Sequence, residues 1–151
     1  MSEHSELTEQ TRDVAKQWFT ALTGGDFPTA LGVLADDVEW INYRVVPGYN
    51  DDMKWIGTFH TRDDVAASVG VFAGQCDVIS EELLDLAVDG DKAAGVIYEV
   101  SRVKETGQVF EITFTHWLTV RDGRIVRWES HTDPSTIIRA LRGDAPEDDG
   151  S

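Results

Sequence analysis

The chain has one cysteine, Cys76, in 151 residues. A single thiol forbids an internal disulfide and fits a reducing, cytoplasmic setting. Basic residues are also scarce: 13 Lys and Arg stand against 28 Asp and Glu, a net charge of -15. So little positive charge argues against nucleic acid and anionic membranes as partners, because both recruit basic patches. No apolar run approaches a membrane span. Residues 1–11 are acidic and polar and lack the basic-then-apolar pattern of a signal peptide. The four histidines, His4, His60, His116 and His131, have no ligand-like spacing, so no metal is expected. Neither a glycine-rich phosphate loop nor a dinucleotide fingerprint occurs, and no cofactor is expected.

What the chain does have is a globular composition, 41% hydrophobic with five Trp. Its length suits one domain with a substantial core. The expected layout is an unstructured N-terminus over 1–7, a domain over 8–142 and an acidic disordered tail over 143–151.

Val14, Ala15, Trp18, Phe19 and Leu22 follow helical spacing, and Gly24-Gly25 ends that helix. Asp26 can cap a short second helix with Pro28 in its first turn. A strand is expected over Val38–Tyr43, then an irregular stretch from Arg44 to His60 broken by Pro47, Gly48 and Gly57. Thr61 followed by Asp64 resembles a capping box and opens a third helix. Four strands follow, with turns at Asp89-Gly90, Thr106-Gly107 and Asp122-Gly123. Asp133-Pro134 reads as the cap and first residue of a short C-terminal helix. Helices segregated from a mostly antiparallel sheet define an α+β fold. A curved sheet covered on one face by three helices encloses a cone, whose open end is a natural pocket for a hydrophobic small molecule.

One residue breaks the pattern of the expected third meander strand. Phe110, Ile112, Phe114, His116, Leu118 and Val120 share a face, and a single ionisable ring interrupts it. A polar group there must find a partner or line a wet cavity. A two-residue Thr106-Gly107 loop would set Glu99 opposite Phe114 and Ile97 opposite His116. Glu99 and His116 would then be diagonal neighbours about 7 Å apart. A carboxylate beside an imidazole raises the ring's pKa and suits proton transfer; the same pair can also be a buried hydrogen bond with no chemical duty.

The last strand has two possible registers. A two-residue Asp122-Gly123 turn sends Ile125, Arg127 and Glu129 inward; a three-residue loop with a Gly bulge sends Trp128 and Ser130 inward. The second is preferred, because the first buries Arg127 and Glu129. It sets His116 opposite Trp128 and places Ser130 beside Phe114, able to bond a ligand or Glu99. Asn42 and Trp40 share a strand face; Asn42 can hold a ligand carbonyl or cap the strand end. Trp18, Trp55 and Phe72 can line the cone or serve as ordinary core, and Tyr43 belongs to the segment shaping its mouth. His60 can lie at the rim or in solvent. Trp117, Tyr98 and Val100 would make the outer sheet face apolar enough for a homodimer.

The strings WFTALTGGDFPTALGVLADDVEW, TRDDVAASV after Gly57, and FTHWLTVRDGRIVRWESHTDP resemble the NTF2-like superfamily across roughly residues 10–142. The likeness is greatest to its SnoaL-like and ketosteroid-isomerase-like small enzymes. The resemblance implies a cone-shaped fold and hosts that include isomerases, cyclases, dehydratases, epoxide hydrolases and non-catalytic binders. The isomerases place a Tyr where Trp18 stands and a base Asp where Asn42 stands. The cyclases and limonene-type epoxide hydrolases place an Asp at Ser130. The latter's Arg-x-Asp pair maps to Ile97 and Glu99, so the acid survives as Glu, and their Tyr-x-Asn looks like Trp40-Ile41-Asn42. The string INYR at Ile41–Arg44 resembles a stretch of scytalone dehydratase. The expectation is therefore a cofactor-independent acid–base enzyme acting on a hydrophobic small molecule. Glu99 and His116 would move the proton, with Asn42, Trp40, Ser130, Trp128, Trp18, Phe114, Trp55 and Tyr43 around the substrate. The alternatives are a non-catalytic binder, a limonene-type epoxide hydrolase, and a dimerisation module with a vestigial pocket.

Overall fold

The computed structural model describes residues 2–144. Helix α1 (Glu3–Thr23) and helix α2 (Phe27–Val33) lead into strand β1 (Leu34–Asn42). A short strand β2 (Gly57–Phe59) precedes helix α3 (Arg62–Gln75). Strands β3 (Cys76–Asp89), β4 (Lys92–Val103), β5 (Val109–Arg121) and β6 (Arg124–His131) form the meander, and helix α4 (Ser135–Leu141) closes the described chain. The architecture is α+β as expected: four helices on a curved, unclosed six-stranded sheet in the order β2-β1-β6-β5-β4-β3. Neighbours are antiparallel except β1 and β6, which run parallel.

The helix boundaries follow local chemistry. Helix α1 starts at Glu3, so the segment expected to be unstructured up to residue 7 is helical from there. Three interactions explain the correction. Ser2 accepts from the Ser5 N–H, the acidic Glu3 and Glu6 lie at the positive end of the helix dipole, and Thr8 Oγ1 accepts from the Gly90 N–H at 2.9 Å, tying the helix to the β3–β4 turn. Asp26 caps α2 by accepting from the Thr29 N–H, and Thr61 caps α3 by accepting from the Asp64 N–H. Helix α4 begins one residue late: Pro134 is its cap residue, and the Asp133 carboxylate accepts from the Ser135 N–H. Most of the tail expected to be disordered, residues 145–151, lies outside the described residues.

Registers decide the site, and here the sequence reading needs correcting. The β4–β5 loop has four residues, 104–107, closed by the Val103 N–H to the Gln108 carbonyl and turned by Gly107 at φ 73°. Thr106 Oγ1 donates to the Ala140 carbonyl and anchors this loop to α4. Gly95 therefore opposes His116, and Glu99 opposes Ile112. The register is shifted by two residues from that expected. A two-residue shift preserves the faces, so Glu99 and His116 both still point inward.

The β5–β6 turn combines the two options considered. Asp122 (φ 53°) and Gly123 (φ 77°) make a tight two-residue turn that puts Ile125 inward. A bulge then falls between the Val120–Ile125 and Thr119–Arg127 pairs and reverses the faces. Trp128 is buried and Ser130 half-buried, as preferred, but Trp128 opposes Leu118 and Ser130 opposes His116. Two apolar clusters fill the interior. One joins α1 to β1, β4, β5 and β6 around Trp18, Phe19, Trp40 and Leu118. The other joins the β1–β2 connection to α4 through Met53, Trp55, Ile56, Ile137 and Ile138.

Candidate active site

Between the sheet and helices α1, α3 and α4 lies a cavity of about 680 Å³. His116, Glu99, Asn42, Trp40, Ser130, Trp128, Trp18, Phe114, Trp55 and Tyr43 all line it. His60 does not; it is an exposed loop residue. His131 is exposed too, hydrogen-bonded to Glu129, which also pairs with Arg127 on the outer face.

Sheet rows arrange the lining into two ends. One row runs Asn42, Ser130, His116, Gly95 across β1, β6, β5 and β4. The next carries Trp40 and Trp128, whose rings stack 3.5 Å apart and nearly parallel. Helix α1 lays Trp18 and Phe19 over these rows. Phe19 stacks on His116 with ring centroids 5.9 Å apart, and Trp128 meets the same imidazole edge-on at 4.5 Å. Gly95 makes this possible: a β-carbon there would overlap the Phe19 ring.

The Trp18 indole Nε1–H donates to His116 Nδ1 at 3.2 Å. An indole nitrogen can only donate, so Nδ1 is the acceptor and the neutral ring carries its proton on Nε2. No protein partner for Nε2 occurs among the described residues. Burial drives the imidazole's pKa down to about 3. This reverses the expected raised value, because the carboxylate that was to raise it is elsewhere. Glu99 is four residues from Gly95 along β4, about 13 Å at the usual strand rise. Ser130 likewise belongs to the His116 row rather than beside Glu99.

Glu99 has a different partner, one that the sequence reading missed. Glu81 of β3 is directly opposite it across the strand pair, and both line the cavity. Glu99 is 8% exposed, and its Oε2 accepts from Ser101 Oγ at 3.1 Å. Burial pushes the Glu99 carboxyl up to about 7, against the pull of Ser101. Glu81 is pushed up to about 8, by burial first and by the Glu99 charge second. The signal for Glu81 was hidden by a bulge. Counting outward from the β3–β4 turn without interruption pairs Glu82 with Glu99; the extra residue Leu84 slides Glu81 into that place.

The surroundings of this pair are also held neutral. Burial raises the Tyr43 phenol, and the nearby Glu99 and Asp133 charges add to the shift while the Ser130 hydroxyl opposes it. Tyr43 closes β1 with a left-handed backbone, φ 59°, unusual for a bulky residue. Cys76 is pushed up to about 12, by burial first, which makes it an inert thiol. Lys104 also lines the cavity and is tied to the Ala73 carbonyl and to Asp77. No group of three or more His, Cys, Asp and Glu side chains able to hold a metal occurs among the described residues. No described helix is long and apolar enough to cross a membrane.

An α+β cone of helices on an open curved sheet, with a lined cavity between them, is the NTF2-like fold. A family profile for the SnoaL-like domain matches residues 15–128, and the chain belongs to that family. Among solved structures, an NTF2-like protein from Burkholderia xenovorans LB400 is 25% identical, over 89% of this chain and 97% of that one, with a TM-score of 0.72. A candidate SnoaL-like polyketide cyclase from Mesorhizobium loti is 19% identical over 80% and 97%, TM-score 0.68. A candidate isomerase from Bacillus subtilis is 14% identical over 93% and 99%, TM-score 0.73. The last two are likenesses of fold alone. No curated protein matches the chain.

Proposed function

We propose that this chain is a cofactor-independent acid–base enzyme acting on a hydrophobic small molecule. The observation that carries the reading is an aromatic cavity containing both a carboxyl whose pKa lies near neutrality, Glu99, and a neutral imidazole, His116. A general acid or base works best when its pKa is near the working pH, and Glu99 at about 7 meets that condition. His116, at about 3, is a poor base; its role is to donate Nε2–H to a ligand oxygen as charge develops there. Trp18 holds the ring in the tautomer this requires. Trp40, Trp128, Phe114 and Trp55 supply the apolar walls, and Asn42, Ser130 and Tyr43 supply polar contacts. The reactions that fit are those in which a proton is moved without a cofactor: isomerisation, cyclisation or dehydration, as in the candidate cyclase and isomerase that share the fold.

The test is deuterium incorporation from heavy water into a panel of hydrophobic ketones and hydroxyketones. Wild-type protein is expected to label at least one. Glu99→Gln should cut the rate by roughly 10²–10⁴, the usual contribution of a positioned acid–base group. Undiminished labelling in Glu99→Gln overturns the reading. A ligand bound tightly but recovered unchanged and unlabelled supports the second reading, a non-catalytic binder. That alternative is favoured by Asn42 and Ser130, which stand where related enzymes carry acids. Epoxide opening is the weaker alternative, because Ile97, fully buried, replaces the arginine it uses.

The setting we propose is the cytoplasm, consistent with one buried thiol. We also propose a homodimer through the outer sheet face, where Trp117 is 38% exposed. Sedimentation of Trp117→Arg as a monomer, against a wild-type dimer, is the expected result.

A further inference from the structure

We infer that Glu81 and Glu99 act as one unit, a carboxyl pair that shares a single proton, so that one group takes a proton from the substrate while the other gives one. This rests on the proposed acid–base reading and names the residue that completes it.

The geometry is the first support. Glu81 and Glu99 are directly opposed partners in an antiparallel ladder, which brings their β-carbons to about 4.5–5.5 Å. Like charges directly opposite on a sheet are ordinarily destabilising. One bulge in β3 decides which acid takes that place. The bulge at Leu84 sets Glu81, rather than Glu82, opposite Glu99; a second, at Ile79, sets Val78 opposite Ser101. Leu84 and Ile79 are thereby left 53% and 51% exposed. Of the two acids the register could offer, the bulge selects Glu81, which lines the cavity together with Glu99.

The second support is that no free counter-charge faces the pair among the described residues. The groups next to Glu99 are Tyr43 from the end of β1, Cys76 from the start of β3 and Ser101 from β4. None is a cation, and Lys104 is engaged with Ala73 and Asp77. His116 is neutral and about 13 Å along the sheet. Two close carboxyls in such surroundings relieve repulsion by keeping one proton between them. The directions agree: both groups are raised.

The consequence is a balanced proton exchange with no outside reagent. The ionised carboxylate breaks a substrate C–H bond and becomes a carboxylic acid. The protonated partner gives its proton to a second substrate atom, either a carbon or oxygen of the same conjugated system or a hydroxyl that leaves as water. The pair ends with one proton, as it began, and a transfer between the facing carboxyls resets it. Both groups project from one sheet face, so both transfers occur on the same side of the substrate.

The deciding experiment follows the side-chain carboxyl carbons by NMR in protein labelled with ¹³C-glutamate, with Glu81→Gln and Glu99→Gln assigning the signals. In wild-type protein each of the two is expected to titrate in two coupled steps spanning neutrality. In Glu81→Gln, Glu99 should titrate in a single step, at lower pH by about one unit. Independent single-step titrations in wild type, unmoved by either variant, overturn the pair. The labelling rate in heavy water supplies a separate readout. Its pH profile should be bell-shaped in wild type and lose one limb in Glu81→Gln. An intact coupled titration without any labelling leaves the pair standing and removes the enzyme reading. Labelling with uncoupled titrations does the reverse.

Discussion

At the aromatic end of the cavity, His116 lies under Phe19 with its Nδ1 bonded to Trp18; at the acid end, Glu99 faces Glu81 across two strands. Desolvation dominates both ends and favours the neutral form of each group. For the imidazole that means a depressed pKa, about 3, and for the carboxyls raised ones, about 7 and 8. The pH consequences are therefore opposite. Below about 6.5 the unfolded chain protonates its histidine while the folded chain does not, so stability is lost as pH falls from about 6.5 towards 3. Above 4.5 the unfolded chain releases the glutamate protons while the folded chain keeps them, so stability is lost as pH rises from 4.5 towards 8. One physical force gives the two ends opposite slopes, and pH can tell them apart.

The largest effect comes from breaking the aromatic end. Gly95→Ala drives a methyl group into the Phe19 ring, which is 1% exposed and has no room to retreat. Overpacking of this kind costs about 1–3 kcal/mol, and the upper end is expected here because Phe19 also bears on His116. Urea unfolding should show the loss, while the titration of Glu99 should stay where it is. A shift of Glu99 in this variant would mean that the two ends are not separable. Next in size is Glu99→Gln, which breaks the acid end. At about pH 8 it should gain stability on the order of 3 kcal/mol, from the difference between about 7 and 4.5 at about 1.4 kcal/mol per pH unit, with little gain near pH 4. The acid-side loss due to His116 should persist. A gain equal at both pH values would show that Glu99 is not held protonated by the fold.

Much of this comparison was legible in the sequence, and the missing part has a definite physical origin. Alternation along Phe110–Val120 identified the inward face, and the same logic put Glu99 on it; both hold because side-chain parity survives any even register shift. The Thr61 and Asp26 caps and the Gly24-Gly25 stop followed from local spacing. What failed were distances along the strands. Thr106-Gly107 looks like a two-residue turn, but Thr106 is recruited by α4, and the loop takes four residues. That moved His116 out of reach of Glu99 and gave it to Trp18, a contact 98 residues apart in sequence. Bulges at Leu84 and between Ile125 and Arg127 leave no composition signal, so Glu81 went unnoticed and Trp128 was paired two residues away from its true partner. Strand β2 escaped because three residues after an irregular segment carry too little pattern to read.

The smallest predicted effect separates the scaffold from both ends. Helix α3 contributes Val69 and Phe72 to the cavity wall, and its first turn is held by Thr61 Oγ1, which accepts from the Asp64 N–H at 3.1 Å. Thr61→Ala removes that acceptor and should cost about 1 kcal/mol. It changes no charge and no side chain of the wall. Stability measured from about pH 4 to pH 9 should therefore fall by the same amount throughout, with the shape of the profile unchanged. If the profile instead flattened on its alkaline side, α3 would be part of what keeps water from Glu81 and Glu99, because admitting water lowers the carboxyls towards 4.5 and removes their difference from the unfolded chain. If it flattened on its acid side, the helix would be sealing His116. A uniform drop assigns the desolvation at each end to the sheet rows and to α1, where the Phe19 and Trp18 contacts with His116 lie.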